Sequence, residues 1–286
     1  MRLALMFSGQ GAQKSGMGKE LYETSEAARD IFDRAGEEIR DMCFNGTDEQ
    51  LAQTINTQPC LFTVTVAEYQ AFLREESAEV SAVCGFSLGE YSACCAAGVF
   101  TFEEGLELVK KRAKLMDEAA KNAPGGMIAI LGLDKSEIYD IIKGAGVSEG
   151  GVLEAVNFNC PGQTVVAGDF ASLDKLKQYC VENGVKTVSL AVSGAFHSSL
   201  MAGVVPFLER ELEKIDLKEP QIPIVSNVTA RWYESGKTVE LLSRQVAHAV
   251  NWEQSVRFLM EMGIEEFKEI GAGSVLMGFL RKIRDK

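Results

Sequence analysis

Short apolar runs alternating with helix-length segments constrain this 286-residue chain more than any other feature. Leu3 to Phe7 and Val80 to Cys84 read as strands with hardly a polar residue. Ile222 to Ser226 and Glu266 to Ile270 read as later strands. Strands of this kind separated by helices belong in a mostly parallel sheet, because a sheet buried on both faces needs no polar alternation. Helices are expected over Glu26 to Met42, Pro59 to Glu75, Phe102 to Asn122, Met201 to Ile215, Val239 to Ala249, Glu253 to Met262 and Ser274 to Arg284. Thr101 with Glu104 three residues on is a capping box, which places the start of the Phe102 helix.

Pro124-Gly125-Gly126 interrupts this pattern. Beyond it the expected order is strand Met127 to Leu133, helix Lys135 to Lys143, and strands Val152 to Phe158 and Gln163 to Ala167. Helix Ala171 to Glu182 and strand Lys186 to Val192 complete it. That is the βαββαβ order of a ferredoxin-like unit. The chain therefore reads as an α/β protein in two parts: residues 1–124 with 194–286, and an inserted subdomain over 125–193.

With 46% hydrophobic and 24% charged residues the composition is that of a soluble globular protein. A formal charge of −12 argues against nucleic-acid binding, which needs a basic face. Seven cysteines without a C-x-x-C pair, and only two histidines, give neither a disulfide framework nor a metal site. No apolar segment approaches the length of a membrane span or a signal core, so a cytoplasmic protein with no membrane partner is expected. Asn45-Gly-Thr and Asn227-Val-Thr match a glycosylation pattern that such a location makes irrelevant.

Gly85-Phe86-Ser87-Leu88-Gly89 fits G-x-S-x-G and falls between an expected strand and an expected helix. In such an elbow the flanking glycines relieve crowding and the serine is presented at a helix N-terminus. A bland turn is the rival, and the elbow is favoured by its context. Of the two histidines, His197 lies in a small-residue loop and is favoured as the base for Ser87, leaving His248 as structural. No carboxylate stands out as a third member. Phe7-Ser8-Gly9-Gln10-Gly11-Ala12-Gln13 fails the dinucleotide fingerprint at Lys14; it is either an oxyanion-donating loop near Gln10 or a plain turn. Arg112 sits beside the apolar stripe Phe102, Leu106, Val109, Ala113, Met116 and Ala120. Taken alone it reads as an arginine snorkelling to water, with a bidentate clamp on a carboxylate as the alternative.

These motifs, together with Thr57-Gln58-Pro59, Asn157-Phe158-Asn159-Cys160-Pro161-Gly162-Gln163, Gly194-Ala195-Phe196-His197 and Gln245, resemble the malonyl-CoA:acyl carrier protein transacylases in order along the whole chain. The resemblance implies a larger α/β-hydrolase-like domain with a ferredoxin-like insert and a cleft between them. It implies Ser87 as nucleophile, His197 as base, and the backbone N–H groups of Gln10 and Leu88 as an oxyanion hole. Arg112 would bind the malonyl carboxylate, with Gln58 and Gln245 in supporting positions, the latter holding His197 through its main-chain carbonyl. No permanent cofactor is implied: the coenzyme A thioester, malonyl-CoA, is the substrate, and the acyl carrier protein receives the group in a ping-pong cycle feeding fatty-acid or polyketide synthesis. The family's elbow commonly reads Gly-His-Ser, whereas Phe86 stands here; Phe196 resembles the residue of malonyl-selective members.

Two other classes compete: a serine esterase or thioesterase, supported by the elbow alone, and a binding subunit without turnover. Arg112 speaks for acyl transfer over hydrolysis. Carrier proteins of the pathway are usually acidic, so a local basic patch is expected, with Lys110, Lys111 and Lys114, or Arg281, Lys282 and Arg284, as candidates.

Overall fold

A computed structural model describes residues 2–76 and 78–285. Among the described residues eight strands form two sheets: β1 (Leu3–Phe7), β2 (Val80–Gly85), β3 (Gly125–Leu131), β4 (Leu153–Cys160), β5 (Gln163–Asp169), β6 (Lys186–Ser189), β7 (Ile224–Val225) and β8 (Glu266–Ile270). The first sheet runs β7-β2-β1-β8 and is parallel throughout. The second runs β4-β5-β3-β6 and is antiparallel throughout. The protein is thus a mixed α/β fold with one sheet of each kind.

The apolar runs bury both faces of the parallel sheet, as their composition requires. Leu3, Leu5 and Phe7 face a core shared with Phe62, Tyr91 and Val109, while Ala4 and Met6 face Trp252, Leu259 and Leu280. The period-2 alternation of side chains gives β1 an apolar residue on both sides at every position. In the antiparallel sheet, Ile128 and Ile130 of β3 pack on Leu173 and Leu176. Met127 and Ala129 face the other way, toward Met116, Ala195 and Phe196. That layer joins the antiparallel sheet to the Phe102–Asn122 helix and to the chain around Phe196. Among the described residues no helix is long and apolar enough to cross a membrane.

Several element ends differ from the sequence reading, each for a local reason. The helix expected over Glu26 to Met42 divides at Gly36, whose φ of 94° is a glycine conformation, into Glu26–Ala35 and Glu37–Asn45. The helix expected from Pro59 starts at Thr54 and carries the proline inside it; the acceptor left without a donor is on Ile55, an exposed residue that water can serve. β6 ends at Ser189, and residues 190–198 continue as a strap without regular structure. The Met201 helix opens as a 3-10 turn, Ser199–Val204, before Val205–Leu212. The Val239 helix ends at Arg244 and tightens into a 3-10 turn over Gln245–Ala247.

Candidate active site

Ser87 ends the turn between β2 and the Leu88–Ala96 helix, with φ 51° and ψ −107°. A non-glycine residue held at positive φ costs on the order of 1–3 kcal/mol, so the surroundings must fix it. Two amide side chains do so. Asn227 accepts from the Ser87 N–H at 2.7 Å and donates to the Gly85 carbonyl at 2.6 Å; Gln245 Nε2 donates to the Ser87 carbonyl at 2.8 Å. The glycines are equally necessary. A Cβ on Gly85 would lie 2.0 Å from the Gly89 backbone, and one on Gly89 would lie 2.1 Å from the Phe7 carbonyl oxygen.

His197, also at positive φ (64°), lies in the strap that follows β6. Its Nε2 is 2.8 Å from Ser87 Oγ, and its Nδ1 is 2.8 Å from the Gln245 carbonyl oxygen. A carbonyl can only accept, so Nδ1 carries the proton and Nε2 turns its lone pair to the serine hydroxyl. The break after Arg244 is what makes this possible, since it turns the Gln245 carbonyl out of the α-helical ladder. Burial, aided by the Arg112 charge, pushes the imidazole down to about 4, so it is neutral near pH 7. His248 instead pairs with Arg244 at both ring nitrogens, a structural arrangement.

Arg112 does not snorkel: it is only 1% exposed. Its guanidinium donates to Gln58 Oε1 at 2.7 Å, to Gln245 Oε1 at 2.9 Å and to Ser87 Oγ at 3.3 Å, and lies 5.1 Å from the centre of the Tyr91 ring. Its Nε is buried without a partner, and none of the ion pairs found among the described residues includes it. Burial therefore lowers its affinity for the proton from the usual arginine value. A buried cation caged by neutral amides is an incomplete arrangement, and a carboxylate is the group that completes it.

The cleft in front of these groups holds about 420 Å³ and is lined by Gln10, Ser87, Arg112, Phe196 and His197, among others. Gln58, Leu88 and Gln245 do not line it: Leu88 buries its side chain in the core, and the two glutamines stand behind Arg112. The backbone N–H groups of Gln10 and Leu88 have no hydrogen-bond acceptor among the described residues, while the Gln10 side chain leans on Thr54 Oγ1. Phe86, in place of the family's histidine, packs edge-on to Trp252 with centroids 5.6 Å apart and tilted against Phe279 at 6.2 Å.

Sequence reasoning gave three contributors no role. Asn227, set aside as a glycosylation pattern, is buried and staples the elbow. Asn157 and Asn159 line the opposite wall of the cleft, each with a buried Oδ1 that has no partner. The alternation that puts both on one face of β4 was the available signal.

The whole chain resembles known proteins. Residues 5–285 match the acyl transferase domain family. A malonyl CoA-acyl carrier protein transacylase of Bacillus subtilis is 38% identical over 288 residues, spanning 99% of this chain and 90% of the relative. The crystal structure of such a transacylase from Clostridium perfringens superposes with a TM-score of 0.93 at 36% identity, covering 100% of this chain and 91% of that one. A structure of a type II PKS acyl-carrier protein in complex with its malonyl-transacylase gives 0.94 at 35% identity, covering 100% and 94%. This chain belongs to the acyl transferase domain family and, within it, to the malonyl CoA-acyl carrier protein transacylases.

Proposed function

We propose that this enzyme transfers a malonyl group from coenzyme A to the phosphopantetheine thiol of an acyl carrier protein, through an ester on Ser87. The observation that carries this reading is the meeting of Ser87, His197 and the carboxylate-lacking Arg112 in one cleft. Ser87 Oγ attacks the thioester carbonyl and gives its proton to His197 Nε2, while Nδ1–H stays on the Gln245 carbonyl and steadies the imidazolium. The N–H groups of Gln10 and Leu88 receive the oxyanion. The imidazolium then protonates the departing coenzyme A thiolate. In the second half the neutral imidazole takes the proton of the pantetheine thiol, whose sulfur attacks the malonyl ester, and the imidazolium returns that proton to Ser87 Oγ as it leaves. Arg112, braced by Gln58 and Gln245, pairs with the malonyl carboxylate throughout.

Around this site we place an α/β-hydrolase-like part, residues 1–124 and 194–286, and a ferredoxin-like insert, 125–193. The order β4-β5-β3-β6 with helices Lys135–Gly144 and Phe170–Glu182 supports the insert. Phe196 in the cleft wall favours the unbranched malonyl group. For carrier docking, Lys110, Lys111 and Lys114 are each neutralised by Glu107, Glu211 and Glu118, whereas Arg281 and Lys282 enter none of the ion pairs among the described residues. That favours the C-terminal helix, Val275–Arg284, whose first residues line the cleft. Seven thiols without a disulfide suit the cytoplasm.

Intact-mass measurement after mixing with malonyl-CoA tests the reading. The wild-type protein gains one malonyl group and passes it to a holo carrier protein, and Ser87→Ala gains none. Release of the group to water faster than to the carrier thiol would overturn transfer in favour of hydrolysis.

A further inference from the structure

The hydrogen bonds behind the cleft converge on a carboxylate that takes no part in the steps above. Glu90 lies in the first turn of the helix that Ser87 caps and is 0% exposed. Its Oε1 accepts from the Asn227 N–H at 3.1 Å and from the Tyr233 hydroxyl at 2.8 Å, and its Oε2 accepts from Gln245 Nε2. Asn227 is the residue whose side chain spans the elbow, and Gln245 is the residue that touches Arg112, Ser87 and His197.

We propose that Glu90 is a positioning residue which, through the amides of Gln245 and Asn227, holds the Arg112 guanidinium and the Ser87 backbone in register for a negatively charged acyl group. The inference rests on the acyl-transfer reading and adds a residue to it. Its warrant is the directionality of an amide. Gln245 Nε2 has two hydrogens and places one on Glu90 and one on the Ser87 carbonyl, so its Oε1 has only the guanidinium left to face. Turned over, the amide would set its oxygen against two acceptors and its NH₂ against a cation. A carboxylate at position 90 forbids the turn because it can only accept. A glutamine there would offer its own NH₂ to that of Gln245, and one of the two amides would have to rotate.

Burial raises the carboxyl to about 7, against the hydrogen bonds from Gln245, Tyr233, the Asn227 N–H and Ser226, which favour the charge. The titratable groups around it are Cys84 on β2, Tyr91 and Cys94 on its own helix, Tyr233, and Arg112 across the Gln245 amide. A proton on Glu90 turns one acceptor into a donor and loosens the same contact that glutamine would break.

Rates of Ser87 acylation by malonyl-CoA and acetyl-CoA, followed by intact mass, test this. Glu90→Gln is expected to lower the malonyl-to-acetyl ratio about tenfold, the worth of one charge-assisted hydrogen bond to the carboxylate. In the wild-type enzyme the ratio should fall as the pH drops through about 7, while acylation itself persists because His197 stays neutral down to about 4. Tyr233→Phe removes a donor to the carboxylate and moves that midpoint to higher pH. A folded Glu90→Gln protein with the wild-type ratio overturns the proposal. So does a wild-type ratio that stays flat from about pH 8 to about pH 5.5, the arm that decides if Glu90→Gln does not fold. A purely structural role would slow both acyl groups alike and shift neither. A wild-type protein that never acylates Ser87 overturns the acyl-transfer reading and this inference with it.

Discussion

Around Ser87 the elbow, the base and the guanidinium are tied to one another by hydrogen bonds before substrate arrives, whereas on the facing wall Asn157 and Asn159 carry buried side-chain oxygens with no partner. The first wall is held by contacts from distant stretches of chain, including Gln58, Asn227 and Gln245, and it tolerates two non-glycine residues at positive φ. The second belongs to an antiparallel sheet whose cleft side is largely apolar, with Met127, Ala129 and Val165 beside the asparagines. The contrast separates two tasks. Groups that stabilise a transition state gain from being fixed in advance, because no reorganisation is needed when charge develops. Groups that receive a long flexible substrate gain from acceptors the substrate itself satisfies, and the two amide N–H groups of pantetheine are donors of that kind.

The first wall should be the more fragile. Replacing His197 with alanine removes the only base that is hydrogen-bonded to Ser87 Oγ among the described residues, and acylation by malonyl-CoA is expected to fall on the order of 10³-fold. The loss should be in the acylation rate, with binding of malonyl-CoA nearly unchanged; rapid-mixing mass measurements separate the two. A fall of less than about tenfold would mean that water or another group serves as base, and would remove the distinction between the walls.

Arg112→Ala comes next in size. Two charge-assisted bonds to the malonyl carboxylate, at about 1.5–3 kcal/mol each, correspond to a loss of malonyl over acetyl preference of roughly 100-fold or more. Acetyl-CoA, having no carboxylate, should be used about as well as before, or better now that a charge no longer faces its methyl group. Competition between the two thioesters in one reaction reads the preference directly. An unchanged ratio would assign the buried guanidinium to holding Gln58 and Gln245 in place, and not to the substrate.

How much of this was legible beforehand follows from how local each constraint is. The elbow could be read because Gly85 answers to a clash within five residues, against Gly89, even though the clash at Gly89 itself is with distant Phe7. His197 could be read because histidine is scarce here. The burial of Arg112 could not, since its partners lie 54 and 133 positions away and the stripe of its own helix leaves it at the margin. Asn227 and Glu90 were hidden for the same reason, being joined to each other across 137 positions. Helix ends failed where a long-range contact outweighs local preference, as at Gln245, whose carbonyl serves His197. Phe86 shows the reverse case: its departure from the family's histidine is visible in the sequence, but its placement against Trp252 and Phe279 is a matter of packing.

The smallest expected effect belongs to the second wall. Asn159 is 4% exposed, and its Oδ1 carries the cost of burial without a hydrogen bond to offset it. Removing that oxygen should therefore cost the free protein little, because the unmet acceptor leaves with it. A thioester whose pantetheine N–H reaches this oxygen would gain about 1 kcal/mol, so Asn159→Ala should raise KM for malonyl-CoA roughly fivefold with kcat nearly constant. Among the described residues Ser87, His197 and Arg112 make no hydrogen bond with its side chain, which is why kcat should hold. If kcat falls while KM stays, the asparagine acts on the reacting carbonyl, and both walls take part in the chemistry.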